Sequence, residues 1–152
     1  MAFWRLYYHL FWATKERQSL IIPEREPKLY SYIIGKADSL GFIIHAIGGI
    51  EDHIHLVTSI PPSLAIAEFV KHIKGSSAHR FNQDSPPTSA KFGWQRGYGV
   101  FSLGGKQLDE AIAYVSNQKQ HHSQGTAIAS LERDNYEDDA PTSRQGITWK
   151  HN

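Results

Sequence analysis

No cysteine occurs among the 152 residues, so neither a disulfide framework nor a thiolate metal site is available. Any metal must be held by imidazole, amide or carboxylate, and the chain suits a reducing, cytoplasmic compartment. Long hydrophobic runs are missing as well. No apolar segment approaches the roughly 20 residues that span a bilayer, and the N-terminus alternates aromatic with polar residues where a signal peptide would be continuously apolar. No membrane role is expected. Charge of one sign is also lacking: the formal net charge is +1, so affinity for a polyanion has to come from local clusters. No internal repeat divides the chain, whose length suits one domain with one core.

What the sequence does contain is a pair of histidines in the run Glu51-Asp52-His53-Ile54-His55-Leu56-Val57. A strand's period of two puts His53 and His55 on one face and Ile54 and Leu56 on the other. Such a pair can hold a divalent cation if a third ligand arrives from elsewhere. Two histidines on the exposed face of an amphipathic strand would read the same way, so the rest of the chain has to decide.

Before this run, Phe3 to Thr14 alternates: Trp4, Leu6, Tyr8, Leu10 and Trp12 share one face, and Phe3, Arg5, Tyr7, His9 and Phe11 the other, which reads as a strand. Pro23 and Pro27 mark a helix start. Leu29, Ile33, Lys36/Ala37 and Leu40 then recur at helical spacing up to Gly41, a C-cap candidate. Phe42 to Ile47 is a second strand that Gly48-Gly49 breaks before the histidine strand, the two forming an antiparallel hairpin. Pro61-Pro62-Ser63 stops that strand and offers Ser63 as N-cap to a helix carrying Ile66, Phe69/Val70 and Ile73. Residues 82 to 97 read as a long loop, Val100 to Leu103 as a fourth strand, and about Lys106 to His122 as a third helix with Leu108, Ile112 and Val115 on its buried face. Residues 1–122 form the single domain, and 123–152 a polar tail expected to be loosely ordered.

The order strand, helix, strand, strand, helix, strand predicts an α+β, ferredoxin-like (split βαβ) fold. It is a four-stranded antiparallel sheet with two helices on one face and an additional C-terminal helix bearing Tyr114. The first and third strands then lie side by side at the centre. Ile54 and Leu56 face the helices, so His53 and His55 face the open side, near Arg5, Tyr7 and His9.

On the third helix Tyr114 and Gln118 are four residues apart and share a face. If that helix lies across the open side of the sheet, Gln118 could supply the third ligand while Tyr114 points its hydroxyl at the same spot. A cation held by neutral ligands polarises a phosphodiester, and a phenol attacking it gives a phosphotyrosine. Each residue has a plainer reading. Tyr114 alone suits a packed ring with a wet hydroxyl; His121 or His122 could take Gln118's place; Asp52 is a turn residue or a carboxylate fixing a histidine tautomer; and His9 is a hydrogen-bonded structural histidine or reaches the site.

The His-hydrophobic-His strand, the downstream Tyr-x-x-x-Gln helix and the order of elements over residues 3 to 122 resemble the HUH-type single-tyrosine transposases of small bacterial insertion sequences. REP-associated tyrosine transposases are near relatives of that family. The resemblance implies that His53, His55 and Gln118 are metal ligands and Tyr114 the nucleophile. It further implies Mg²⁺ or Mn²⁺ as cofactor, single-stranded DNA with hairpins at the element's ends as substrate, and a homodimer. The resulting expectation is a transposase that cleaves and rejoins single-stranded DNA through a 5′-phosphotyrosine. The rival readings are a non-catalytic, domesticated hairpin-binding protein of the same fold and a nuclease that uses water. Lys71, Lys74 and Arg80 make the second helix locally basic, suited to phosphate contacts. Trp94 and Arg96, among Phe92 and Tyr98, have the aromatic and basic interleaving that stacks unpaired bases, or else anchor the loop to the core.

Overall fold

A computed structural model describes residues 2–132 and Pro141, the side chain of Ser130 excepted. The strands are β1 (Tyr7–Ala13), β2 (Ile43–Ile50), β3 (His53–Ser59) and β4 (Gly99–Leu103). The helices are α1 (Glu26–Ser39), α2 (Ile66–Gln83), α3 (Leu108–Ser116) and α4 (Gln118–Gln124), followed by a 3-10 turn at Ala129–Leu131. The sheet order is β2-β3-β1-β4 with every neighbouring pair antiparallel. This is the α+β arrangement expected from the element order, with β1 and β3 central. Among the described residues no helix is long and apolar enough to cross a membrane.

Alternation along β1 and β3 divides the core in two. Leu10 and Trp12 from β1 and Ile54 and Leu56 from β3 point to one side, where they pack with Leu29 and Ile33 of α1 and Phe69 and Ile73 of α2. Each of these eight side chains is fully buried, and each contributes on the order of 1.5–3 kcal/mol by leaving water. On the other side Val57 joins Ala46 of β2 and Ala111, Tyr114 and Val115 of α3 in a smaller cluster. The face left open by α1 and α2 is therefore roofed by the C-terminal helices.

Several boundaries differ from expectation. Gly48 and Gly49 do not break β2, which runs on to Ile50. A Cβ on Gly48 would stand 2.0 Å from the Val115 carbonyl oxygen, so glycine here answers the close approach of α3. Ser63 is not the cap of α2, which begins at Ile66 with Ala65 in the N-cap position and no side-chain cap bond; the chain leaves Pro61-Pro62 through a turn first. The third helix is two helices, interrupted at Asn117 (φ −110, ψ 26). Its buried residues are Ala111, Tyr114 and Val115, whereas Leu108 and Ile112 are only partly buried. Gly41 follows α1 at φ +80, as a C-terminal glycine should. Of the tail expected from 123 onward, residues 123–124 complete α4 and the 3-10 turn at Ala129–Leu131 follows; 133–140 and 142–152 lie outside the described residues.

Candidate active site

His53 and His55 project from β3 to the α3 side of the sheet, and the register of the neighbouring strands decides what surrounds them. Phe11 of β1 pairs with His55 and, on its other side, with Gly99 of β4. A Cβ on Gly99 would fall 2.0 Å from the Phe11 ring, so the glycine leaves that ring room to lie flat. The ring stacks on His55 with centroids 5.5 Å apart and planes 28° apart. Gly48 pairs with His55 from β2 and admits the α3 backbone. The two histidines thus sit under a close-packed roof: His53 is 2% exposed and His55 fully buried.

Each imidazole is oriented through its Nδ1. His53 Nδ1 lies 2.8 Å from Asp52 Oδ1, and Asp52 is itself held at the hairpin turn. Its carbonyl accepts from the Thr14 amide at 2.8 Å and hydroxyl at 3.1 Å, and its carboxylate lies 3.5 Å from Arg17. Asp52 is therefore both the turn residue and the carboxylate partner that the sequence left as alternatives. His55 Nδ1 lies 2.8 Å from His9 Nε2, so His9 reaches the site by contacting a histidine. With Nδ1 engaged in this way, both Nε2 atoms point into the space beneath α3 and α4.

Four groups meet them there. Gln118 is 1% exposed, and its Oε1 lies 3.3 Å from His53 Nε2; its Nε2 is buried with no hydrogen-bond partner among the described residues. Glu132, one residue beyond the 3-10 turn, places Oε2 2.9 Å from His53 Nε2 and both oxygens 3.1 Å from His55 Nε2. His122 brings its Nε2 to 3.2 Å from Glu132 Oε2 without hydrogen-bond geometry. Tyr114 donates its hydroxyl to Glu132 Oε1 at 2.7 Å and accepts the Ile128 amide at 3.0 Å, while His121 stacks on its ring. The phenol and the histidine pair thus come together within one chain.

The electrostatics follow from burial and this carboxylate. Burial works against a charged His53, yet its hydrogen bonds to Asp52 and Glu132 outweigh it and raise the pKa to about 9. Burial dominates at His55 and lowers it despite Glu132. His9 is lowered to about 4, by burial first and by His55 second. Burial would raise Glu132, but hydrogen bonds from His53 and His55 prevail and hold it far below the usual carboxylate range. Burial and the hydrogen bond to Glu132 push the Tyr114 phenol up, so the hydroxyl is protonated.

Donor chemistry fits a hard divalent cation: two imidazole Nε2 atoms, an amide oxygen and a carboxylate converge, and His53, His122 and Glu132 offer ligand atoms within 4.8 Å of one another. The sequence reading missed Glu132. A single acidic residue in a polar stretch carries no periodicity and no motif, so nothing local distinguishes it.

The residues read as DNA contacts lie elsewhere. Lys71, Arg80 and Arg96 are exposed, with the Arg80 guanidinium over the Tyr32 ring at 4.5 Å. The Lys74 ammonium donates to the carbonyls of Gln95 at 2.8 Å and Gly97 at 2.5 Å. Trp94 packs at the edge of the core, edge-on to Trp12 and Phe92, and donates its indole N–H to Ser77 at 3.0 Å. Both residues fasten the 84–98 loop to α2 and the sheet. Helix α2 packs on the sheet face opposite the histidines.

A family model described as "Transposase IS200 like" matches residues 2–118. Similar proteins include the ISDra2 transposase TnpA of Deinococcus radiodurans, 28% identical over 119 residues, covering 76% of this chain and 85% of that protein. The transposase for insertion sequence element IS200 of Salmonella typhimurium is 24% identical over 130 residues, covering 83% and 85%. Among solved structures, one described as a transposase from Deinococcus radiodurans superposes with a TM-score of 0.62 at 25% identity, covering 84% of this chain and 95% of that one. A REP-associated tyrosine transposase bound to a REP hairpin gives 0.59 at 16% identity, covering 84% and 76%.

Proposed function

We propose that this chain, which belongs to the IS200-like family of HUH tyrosine transposases, cleaves and rejoins single-stranded DNA through a 5′-phosphotyrosine at Tyr114, with His53, His55 and Gln118 as metal ligands. The observation that carries this reading is the meeting of the Tyr114 hydroxyl with both histidine Nε2 atoms around one point, through Glu132 at 2.7, 2.9 and 3.1 Å. Bound Mg²⁺ or Mn²⁺ would polarise the scissile phosphate and draw off charge as it develops.

The remaining roles belong to the chain itself. Asp52 and His9 fix the imidazoles through Nδ1, leaving Nε2 free to ligate. Tyr114 Oη forms the new bond to phosphorus while the bond to the 3′ oxygen breaks. The phenol gives up its proton and the leaving 3′ oxygen takes one. Rejoining reverses the exchange, a 3′-hydroxyl attacking the phosphotyrosine and releasing Tyr114. Close packing by α3 and Phe11 limits water at the same point, which favours strand transfer over hydrolysis.

A hairpin substrate is supported by the fold-sharing REP-associated transposase, whose structure holds a REP hairpin. Lys71, Arg80 and Arg96 would contact its phosphates. Lys74 and Trp94 would act on the same DNA through the loop they hold. A homodimer would supply two such sites, one for each element end.

The test is a denaturing gel of labelled hairpin-bearing single-stranded DNA with and without Mn²⁺. Wild type should give a covalent protein–DNA species that chelator abolishes, and Tyr114→Phe should bind the DNA yet form none. Retained hairpin binding with no adduct from wild type would leave a non-catalytic binder. Cut DNA with free ends and no adduct would indicate attack by water.

A further inference from the structure

Gln118 is the last residue that the family match covers, yet the group most closely surrounded by the candidate ligands lies beyond it. The Glu132 carboxylate has the Nε2 atoms of His53, His55 and His122 at 2.9, 3.1 and 3.2 Å. Gln118 Oε1 stands 3.3 Å from His53 Nε2. These separations carry information, because donor atoms about 2.1 Å from an octahedral ion sit about 3.0 Å from their adjacent neighbours. The spacing around His53 and Glu132 is that of neighbouring corners of one coordination shell.

Tautomer chemistry points the same way. Asp52 is an acceptor, so His53 carries a proton on Nδ1, and its neutral form presents a lone pair at Nε2. His55 shares one proton with His9 between Nδ1 and Nε2. When that proton is on His55, its neutral Nε2 presents a lone pair as well. Two lone pairs then face carboxylate oxygens that also carry only lone pairs. In the ion-free site a proton on Nε2 bridges each of these contacts, and a divalent cation can take the place of those protons, accepting both imidazole lone pairs and the carboxylate at once.

We infer that Glu132 is an anionic metal ligand of this site, joining His53, His55 and Gln118 through Oε2 while Oε1 holds the Tyr114 hydroxyl beside the ion. This rests on the metal-dependent reading above and changes its chemistry. A carboxylate lowers the net charge at the ion, strengthens the hold on hard ions such as Mg²⁺ and Mn²⁺, and ties the nucleophile's position to the metal's. His122, 4.9 Å from His53 between ring centroids, packs beside the set.

Titration calorimetry of the full chain with MnCl₂ tests it, using wild type, Glu132→Gln and His53→Ala. Wild type should bind one Mn²⁺, His53→Ala should abolish binding, and Glu132→Gln should weaken it at least tenfold. If His53→Ala abolishes binding while Glu132→Gln binds as wild type or more tightly, the inference is overturned and the metal reading stands. If wild type binds no Mn²⁺, both fall. A second readout needs no variant: in the wild-type NMR spectrum, Mn²⁺ should bleach the amides of Leu131 and Glu132 together with those of His53 and His55. Bleaching confined to the histidine strand would mean that the ion displaces Glu132, which overturns the inference.

Discussion

Gly48 shows how much of the site depends on an atom that is not there. The α3 backbone can rest on β2 only because no Cβ stands 2.0 Å from the Val115 carbonyl oxygen, and Val115 is one residue from Tyr114. Gly48→Ala has no flexible side chain to push aside, so α3 must lift. We expect a loss of about 1–3 kcal/mol, the usual cost of overpacking, read as a lower urea midpoint, with weakened Mn²⁺ binding as Gln118 moves off His53. An unchanged midpoint would show that α3 rides higher over β2 than described. In the sequence the same glycine looked like a strand break. Glycine spacing records that a side chain is excluded, and only the neighbour across the gap tells whether the cause is a turn or a contact. His53 and His55 were legible because a period of two is local, whereas Glu132 was not, because its partners are set by how the chain returns over the sheet.

Helix α2 and the loop that follows it form the element most altered from expectation. Lys74, placed among DNA-binding cations by its position in a basic helix, has its ammonium 5.7 Å from the Trp12 ring centroid and bonded to two loop carbonyls. Burial lowers its pKa to about 8 from the ordinary 10.5. Between those values the unfolded chain keeps a proton that the folded chain has shed, so this group's contribution to stability rises with pH through that window and is flat below it. Urea unfolding of wild type and Lys74→Met from pH 7 to 10.5 should show the wild type gaining relative to the variant above pH 8. A constant difference would mean that the amine is solvated and free for phosphate. Helical periodicity reveals which residues face the core, but not that a long loop will come back to cover a lysine.

Across the whole molecule, the two sides of the sheet are held by different forces. The α1 and α2 side rests on large apolar side chains. Helix α4 has Gln118 as its buried residue and an exposed Lys119–Glu26 ion pair, of a kind that contributes about 0–1 kcal/mol. If a cation joins Gln118 and Glu132 to the histidines, Mn²⁺ should stabilise α4 locally. At one hundred times Kd the gain is at most about 2.7 kcal/mol, so amide exchange across 118–124 should slow by up to about a hundredfold while β1 and β3 change little. Uniform slowing along the chain would place the effect in global stability instead. The sequence by itself determined the sheet, its central strands and the side to which His53 and His55 turn, because each follows from a repeat of two or 3.6 residues within one segment, whereas Tyr114 and Gln118 lie on two helices that break at Asn117. Only the tertiary structure decided that Asp52 and His9 orient the imidazoles, that Trp94 and Lys74 serve the loop, and that Glu132 closes the site. Those contacts join segments far apart in the chain, and no local pattern encodes which distant group will arrive.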